Sequence, residues 1–299
     1  MLLIFLLAVT PFLADKVEII KENGESIIHL AGNVAIEDEN TKITCFEAKL
    51  NETKGYVSLI RNVKMEDEYG EINADFAFYY LKEKKGYLNG NVWLLTEDKT
   101  ISSDSLYYDG MNEFVEMYSN VKIEDPKNNL VAHSQGGWYD LEKDQGHLVE
   151  NPELEIFREN KEPLKISAKE FQLITVNSTL HGFDSVVAII DSITIFCDTF
   201  SYNLQTENGN LIKPIIIEKE NELRGESGEF KLKNKNIESF SVEKGWSRYY
   251  TNEGSKNVIE GQKITIIFKD GKASKILVDG QPKGILSLKK EAEEEDVSD

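Results

Sequence analysis

Apolar and polar residues alternate along most of the chain, and the alternation recurs with a fixed period. Asn33, Asn62, Asn91 and Asn120 lie at steps of 29 residues, and Asn151 follows after 31. Around each asparagine, apolar residues stand three positions before it, one position after it and three positions after it. These positions are an even number of residues apart, so in a strand they lie on the same face. Alternation with period two over about seven residues predicts a β-strand with one buried and one solvated face. The apolar columns are Leu30, Val34 and Ile36; Leu59, Val63 and Met65; Leu88, Val92 and Leu94; Met117, Val121 and Ile123; and Leu148.

A second strand-like phrase begins ten residues after each of the first four asparagines. These phrases open at Ile43, Ile72, Ile101 and Leu130. Clusters of turn-forming residues, such as Glu-Lys-Lys-Gly at 83–86, separate the two kinds of phrase. Each repeat therefore predicts two antiparallel strands.

The second half of the chain carries the pattern with looser spacing. Strand phrases open at Ile166, Ile193, Leu223 and Ile259, at steps of 27, 30 and 36 residues. No segment longer than about ten residues shows a helical stripe. The predicted fold class is all-β, an elongated repetitive antiparallel array of about eight two-strand units, because stacked repeats can bury the apolar face that a single repeat leaves exposed.

The pattern divides the chain into four segments. Residues 1–14 are continuously apolar, but a membrane-spanning helix needs about 20 such residues. The segment therefore predicts a signal peptide or a short N-terminal anchor, and a buried N-terminal strand is the alternative. Regular repeats fill 15–158. Residues 159–288 are a divergent continuation or a second domain of the same kind, and we expect the acidic tail 289–299 to be disordered.

Composition excludes one large class of function. Lysine and arginine total 34 against 53 aspartates and glutamates, which gives a net charge of −19. A nucleic-acid-binding protein needs a basic surface to displace counterions from phosphates, so we exclude nucleic acid as a partner. The 40% of hydrophobic residues is too high for a disordered chain.

The residues that carry enzyme chemistry are scattered. None of His29, His133, His147 and His181 has a metal-ligand partner at helical or strand spacing, although His133 and His147 could face each other in one hairpin. No nucleophile, phosphate-binding or dinucleotide-binding motif is found. We therefore predict no catalytic residue, no metal and no cofactor. A carbohydrate-active β-helix, which also repeats at this length, would need a cluster of carboxylates that the pattern does not supply.

The repeated phrases GNVAI at 32–36, RNVKM at 61–65, GNVWL at 90–94 and SNVKI at 119–123 resemble the OstA-like repeats of lipopolysaccharide-transport proteins. That family includes LptA, LptC and the N-terminal domain of LptD. The similarity covers 30–156 well and 166–286 faintly. The phrase GKASKILVDGQPKG at 271–284 is similar to the closing strand of such domains.

The resemblance implies that this array is an antiparallel β-jellyroll, an OstA/LptA-like open β-roll that holds lipid A acyl chains in an apolar groove. It also implies export to the periplasm, with association at either membrane open. The implied partners are lipopolysaccharide or a related glycolipid, and LptC-like or LptD-like proteins added end to end through β-strands. The thirteen residues of the apolar columns are then candidates for the groove lining. The residues alone leave two other interpretations open: a simple packed core, and a β-scaffold that binds no lipid.

Overall fold

The protein is built almost entirely of β-strands. The computed structural model describes residues 11–22, 24–38, 41–250, 255–269 and 271–287. These residues form 24 strands and one short 3-10 turn, Thr175–Asn177. The predicted repetitive antiparallel β fold is confirmed. Residues 1–10 and the predicted acidic tail 289–299 lie outside the described residues.

The strands group into two compact units, the described residues of 1–154 with 172–176 and those of 155–171 with 177–299. The first eleven strands are β1 (Phe12–Leu13), β2 (Lys16–Glu22), β3 (Glu25–Asp38), β4 (Thr41–Asn51), β5 (Tyr56–Asp67), β6 (Gly70–Tyr80), β7 (Lys85–Leu95), β8 (Thr100–Asp109), β9 (Phe114–Asp125), β10 (Leu130–Asp140) and β11 (Gln145–Val149). The division falls inside β12 (Glu153–Arg158) and β14 (Glu170–Ile174). The remaining strands are β13 (Lys161–Ser167), β15 (Thr179–Ile190), β16 (Ile193–Asn203), β17 (Asn208–Ile212), β18 (Ile215–Glu218), β19 (Asn221–Arg224), β20 (Ser227–Lys233), β21 (Asn236–Tyr250), β22 (Lys256–Lys269), β23 (Lys272–Asp279) and β24 (Lys283–Ser287). The sequence-based boundary at 158 stays a prediction.

Consecutive long strands pair antiparallel, so the first unit is a continuous series of hairpins from β3 to β10. Some strands are replaced by two short ones. β17 and β18 both pair with β16, and β23 and β24 both pair with β22. Pro214 and Pro282 lie in the two gaps, where the lack of a proline N–H costs no ladder hydrogen bond.

The N-terminal segment ends in a strand. Phe12 and Leu13 form β1 and pair with Ile36 and Ala35 of β3. β2 pairs with the other half of the same strand. The described end of the predicted signal segment thus contributes to the sheet.

Each long strand of the first unit bends at a β-bulge, which we call the corner. In the pairing of β5 with β6, Ile60 lies opposite Phe76 and Val63 lies opposite Ala74, so the register shifts between the two pairs. The skipped residues of β5 are Arg61 and Asn62, and both have positive φ. All five repeated asparagines have φ between 46° and 60°, because asparagine tolerates the left-handed region better than most residues.

The corner divides each strand into two arms. Arm A of the first unit contains segments such as Val63–Asp67 of β5, and arm B contains segments such as Tyr56–Ile60. The bulge takes two residues out of the pairing of β5, so it does not change which face the following residues lie on. Leu59 and Val63, on either side of the bulge, therefore both point to the interior between the arms. The alternation in the sequence therefore passes through the bend without a break.

Side chains stabilise the corner from outside. The amides of Asn91 and Asn120 donate to Asp75 and Asp104 of the neighbouring strand at 2.7 and 2.8 Å, and the amide of Asn33 donates to Asp15, between β1 and β2, at 2.9 Å. At the second repeat the equivalent contact is a cation–π pair, with the Arg61 guanidinium 4.0 Å from the Phe46 ring centroid. The sequence analysis placed these asparagines on a solvated strand face. The structure makes them the residues that form the bend.

Replacing Gly90 with alanine is expected to destabilise the first unit by about 1–3 kcal/mol. Gly90 has φ +77°, and a Cβ there would lie 2.6 Å from Asp75 Oδ2 and 2.9 Å from Asp75 Cβ. Gly55→Ala is the matched control, since Gly55 has φ +70° but nothing within 4 Å of an added Cβ. Urea unfolding of the two variants separates backbone strain from the clash, and equal losses would show that Asp75 adds nothing.

Candidate functional site

The interior between the two arms is the candidate site, and the structure places every predicted groove residue in it. Each of these residues is at most 2% exposed: Leu30, Val34, Ile36, Leu59, Val63, Met65, Leu88, Val92, Leu94, Met117, Val121, Ile123 and Leu148. They come from the odd-numbered strands β3 to β11 of the first unit. The thirteen candidates therefore form one contiguous set of inward-facing side chains.

The sequence analysis missed the other half of this interior. The even-numbered strands contribute Ile43, Ile72 and Ile101 to arm A, and Ala48, Ala77 and Leu106 to arm B, all buried. The 29-residue spacing of Ile43, Ile72 and Ile101 was the available signal. Cross-strand pairs such as Leu59 opposite Ala77 alternate large with small side chains, which allows the interior to fill.

Small side chains occupy the inner side of the corner. Cys45, Ala74, Ser103 and Ser134 are buried at equivalent positions of the even-numbered strands. The Ser103 and Ser134 hydroxyls and the Cys45 thiol each donate to the carbonyl oxygen two residues later, at 2.9, 3.0 and 3.1 Å. Burial raises the pKa of Cys45 to about 11. This thiol has a structural position and is not an activated nucleophile.

The second unit has an interior richer in aromatic residues. The Phe230 ring packs on Phe200, Tyr202 and Phe240 with centroid distances of 5.3, 5.5 and 6.2 Å, and Phe240 continues to Phe268 at 5.8 Å. A register shift between Phe183 and Val186 marks the corner of this unit and divides its strands into two arms, as in the first unit. Beside the aromatic row lies a cavity of about 40 Å³ with a mainly apolar lining. Its lining includes Ile193, Ile216 and Leu223 from one arm and Phe240, Ile266 and Phe268 from the other, together with the charged Glu222 and Arg248. In this unit the two arms leave this space between them.

Several charged residues on the outer faces form ion pairs. Lys64 Nζ is 2.7 Å from Glu71, and this hydrogen bond raises the pKa of Lys64. Lys122 Nζ is 2.6 Å from Glu124. These are the two lysines closest to the repeated asparagines, so neither offers an unpaired cation to a phosphate.

The histidines do not converge on a site. His29 Nε2 lies 2.9 Å from Glu47 of the adjacent strand. His147 pairs with Trp138, while His133 pairs with Lys122, so the two histidines do not face each other as the sequence suggested. Among the described residues, no group of three or more potential ligands could hold a metal ion. That part of the chain also contains no helix long and apolar enough to span a bilayer.

Comparisons with known proteins give one similar solved structure and one matching family. Among solved structures the chain matches LptH, described as the LptA-homologous periplasmic component of the lipopolysaccharide transport device of Pseudomonas aeruginosa. The identity is 11%, the match covers 48% of this chain and 82% of LptH, and the TM-score is 0.23. A search of curated proteins finds no match. Residues 9–156 match the model of the family described as OstA-like protein. Residues 9–156 are therefore an OstA-like region of the protein.

Proposed function

We propose that the protein is a periplasmic, non-enzymatic module that binds the acyl chains of lipopolysaccharide between its two arms during outer-membrane assembly. The observation that carries the proposal is the continuous apolar interior, which is lined from both arms and bounded by bending strands. The family match over residues 9–156 supports the same function.

The physical basis is differential burial. Each acyl CH₂ that leaves water for an apolar interior gains about 0.8 kcal/mol. Sugar and phosphate groups gain nothing there and remain in solvent. The first unit's interior is filled by its own side chains, so loading requires the arms to separate and acyl chains to replace side-chain contacts. The second unit already has a cavity between its arms.

We also propose that OstA-like partners of the LptC or LptD kind add to the end strands. Within the described residues, β2 pairs only with β3, while β23 and β24 pair only with β22. Their outer edges therefore present free N–H and C=O groups, which is the requirement for β-strand addition. Ile285 and Leu286 on β24 are exposed beside this edge.

Site-specific photo-crosslinking tests the lipid-binding proposal. Leu88 is 1% exposed and its neighbour Tyr87 is 53% exposed, because they point to opposite faces of β7. We expect benzoylphenylalanine at position 88 to cross-link lipopolysaccharide in cells with an envelope of two membranes. The same residue at position 87 should cross-link at least tenfold less. Equal cross-linking at both positions, or none at 88 in folded protein, would contradict the proposal.

The alternative is a packed β-scaffold that joins envelope proteins and carries no lipid. The near-complete burial of the first unit's interior favours it, since repeat proteins bury such columns as an ordinary core. The scaffold predicts no lipid on extraction of the purified protein and no cross-link to lipid at either position. Lipopolysaccharide recovered at about one molecule per chain would exclude it.

A further inference from the structure

The side of each unit opposite the corner is where the hairpin tips of the two arms meet, and we call it the mouth. In the first unit, polar contacts cross the mouth from arm A to arm B. The Tyr69 hydroxyl donates to Glu113, and the Tyr108 hydroxyl donates to Asp67. Lys99 makes the third contact across the mouth, with Asp144.

Lys99 lies at the tip of the β7–β8 hairpin in arm A. Its Nζ is 2.8 Å from Asp98 and 3.0 Å from Asp144, which lies at the β10–β11 tip in arm B. Three contacts between residues 41 to 45 positions apart therefore join the arms.

The contacts occupy equivalent repeat positions although their chemistry differs. Tyr69 and Lys99 are 30 residues apart, and their partners Glu113 and Asp144 are 31 apart. A phenol–carboxylate pair in one repeat is thus replaced by an ammonium–carboxylate pair in the next. Because two different kinds of donor make the same contact in successive repeats, we infer that a hydrogen bond across the mouth is needed at this position.

Lys99 and Tyr69 are held in the protonated state, in which they can donate these hydrogen bonds. The Lys99 side chain is 4% exposed. Burial lowers the pKa of Lys99, but hydrogen bonds to Asp98 and Asp144 outweigh it and the net shift is upward. The hydrogen bond to Glu113 raises the pKa of Tyr69 to about 12. Both donors therefore keep their protons at neutral pH.

The second unit closes its mouth with another set of residues. Arg158 Nη1 donates to the Lys235 carbonyl at 3.4 Å, and Lys235 Nζ donates to the Phe157 carbonyl at 3.0 Å. The Arg158 side chain is 2% exposed. Lys99 and Arg158 are the buried basic residues of the described chain, and both lie at a mouth.

We propose that the contacts Tyr69–Glu113, Tyr108–Asp67 and Lys99–Asp144 are a latch, and that its release opens the side of the first unit through which an apolar chain enters. This inference rests on the proposed function. The corner cannot serve as the opening, because the long strands of the first unit pass through it without a break in the chain. At the mouth, the described residues of the two arms are joined by contacts between side chains. Each charged or hydroxyl group in these contacts is hydrated when the contact opens, so the polar bonds oppose separation less than their number suggests.

The test compares the triple variant Tyr69→Phe, Tyr108→Phe, Lys99→Met with the control Tyr118→Phe, Asp75→Asn. The control removes a hydroxyl and a carboxylate away from the mouth, since Tyr118 lies beside the bulge of β9 and Asp75 bonds Asn91 at the corner. We expect amide hydrogen exchange at 67–70 and 110–113 to be at least fivefold faster in the triple variant. Uptake of fluorescently labelled lipopolysaccharide should also be at least fivefold faster, and the control should behave like the parent protein.

A covalent closure tests the same inference in the opposite direction. Tyr69→Cys with Glu113→Cys, joined by a bismaleimide in a background with Cys45 and Cys197 replaced by alanine, should stop uptake. Asp75→Cys with Asn91→Cys, joined at the corner by the same reagent, should not.

The outcomes separate the two proposals. Unchanged exchange at the tips of the folded triple variant overturns the latch, and so does uptake that continues through the closed mouth. If Lys99→Met prevents folding, Tyr69→Phe alone carries the exchange measurement. If no variant and no parent protein takes up lipopolysaccharide, the proposed function fails, and the exchange rates still decide whether these contacts hold the arms together.

Discussion

Replacing Val92 with glutamate is expected to lower the free energy of unfolding of the first unit by more than about 4 kcal/mol. Val92 is 1% exposed, so the substitution removes a buried isopropyl group and places a carboxylate among aliphatic side chains. No described cation lies in that interior to pair with it. The carboxylate must either become protonated or draw water between the arms, and both outcomes destabilise the native packing.

Cys45 provides the readout for this prediction. Its thiol is buried in the same unit with a pKa of about 11, so it should react with an aromatic disulfide reagent at pH 8 only after the unit opens. With Cys197 replaced by alanine, Val92→Glu should accelerate labelling of Cys45 by more than a hundredfold. Trp93→Glu is the control on the adjacent outward position, which is 38% exposed. Similar labelling of the two variants would show that the interior at Val92 is solvated.

The apolar columns could be predicted from sequence because burial in a strand has a period of two. All thirteen candidate residues are in the interior for this reason, and the all-β assignment follows from the same periodicity. The bend could not be predicted in the same way. Arg61 and Asn62 bulge out together, so Leu59 and Val63 keep their parity and the alternation reads as one straight strand. The left-handed φ of asparagine was the available signal, but asparagine is also common at solvated strand positions.

The contacts at the mouth could not be predicted because no local pattern encodes them. Tyr69 and Glu113 are 44 residues apart and meet only when the arms fold over a shared interior. Charged and hydroxyl residues at hairpin tips are ordinarily solvated, which is the interpretation that the sequence supports. The burial of Lys99 and Arg158 becomes apparent only in three dimensions, and buried basic side chains are rare without a specific role.

The second half keeps the repeat where one of its strands is split in two. β17 and β18 are separated by Lys213 and Pro214, and the pair replaces one continuous strand. The step between the strand phrases on either side, Ile193 and Leu223, is 30 residues, which is close to the 29 of the first half. The exposed corner pair Lys213–Asp198, at 2.6 Å, takes the place of the asparagine–aspartate contact found in the first unit.

Replacing Arg158 with methionine is expected to destabilise the second unit by about 3–5 kcal/mol. The guanidinium donates to the Glu162 carbonyl at 2.7 Å and to Asp191 at 2.9 Å, in addition to the Lys235 carbonyl. Methionine fills similar volume but leaves two carbonyl oxygens and a carboxylate without these donors. Arg158→Lys keeps the charge and loses the planar fork, so an intermediate loss of about 1–3 kcal/mol is expected.

Lys213→Met is the matched control, because Lys213 also pairs with an aspartate in this unit but its side chain is 71% exposed. Its loss should stay below about 1 kcal/mol. Urea unfolding, followed by labelling of Cys197 in a Cys45→Ala background, measures all three variants. Burial raises the pKa of Cys197 to about 12, so the thiol reports opening of its own unit. If Arg158→Met costs no more free energy of unfolding than Lys213→Met, apolar packing holds the mouth of the second unit, because loss of the buried guanidinium would then leave no destabilised polar partner.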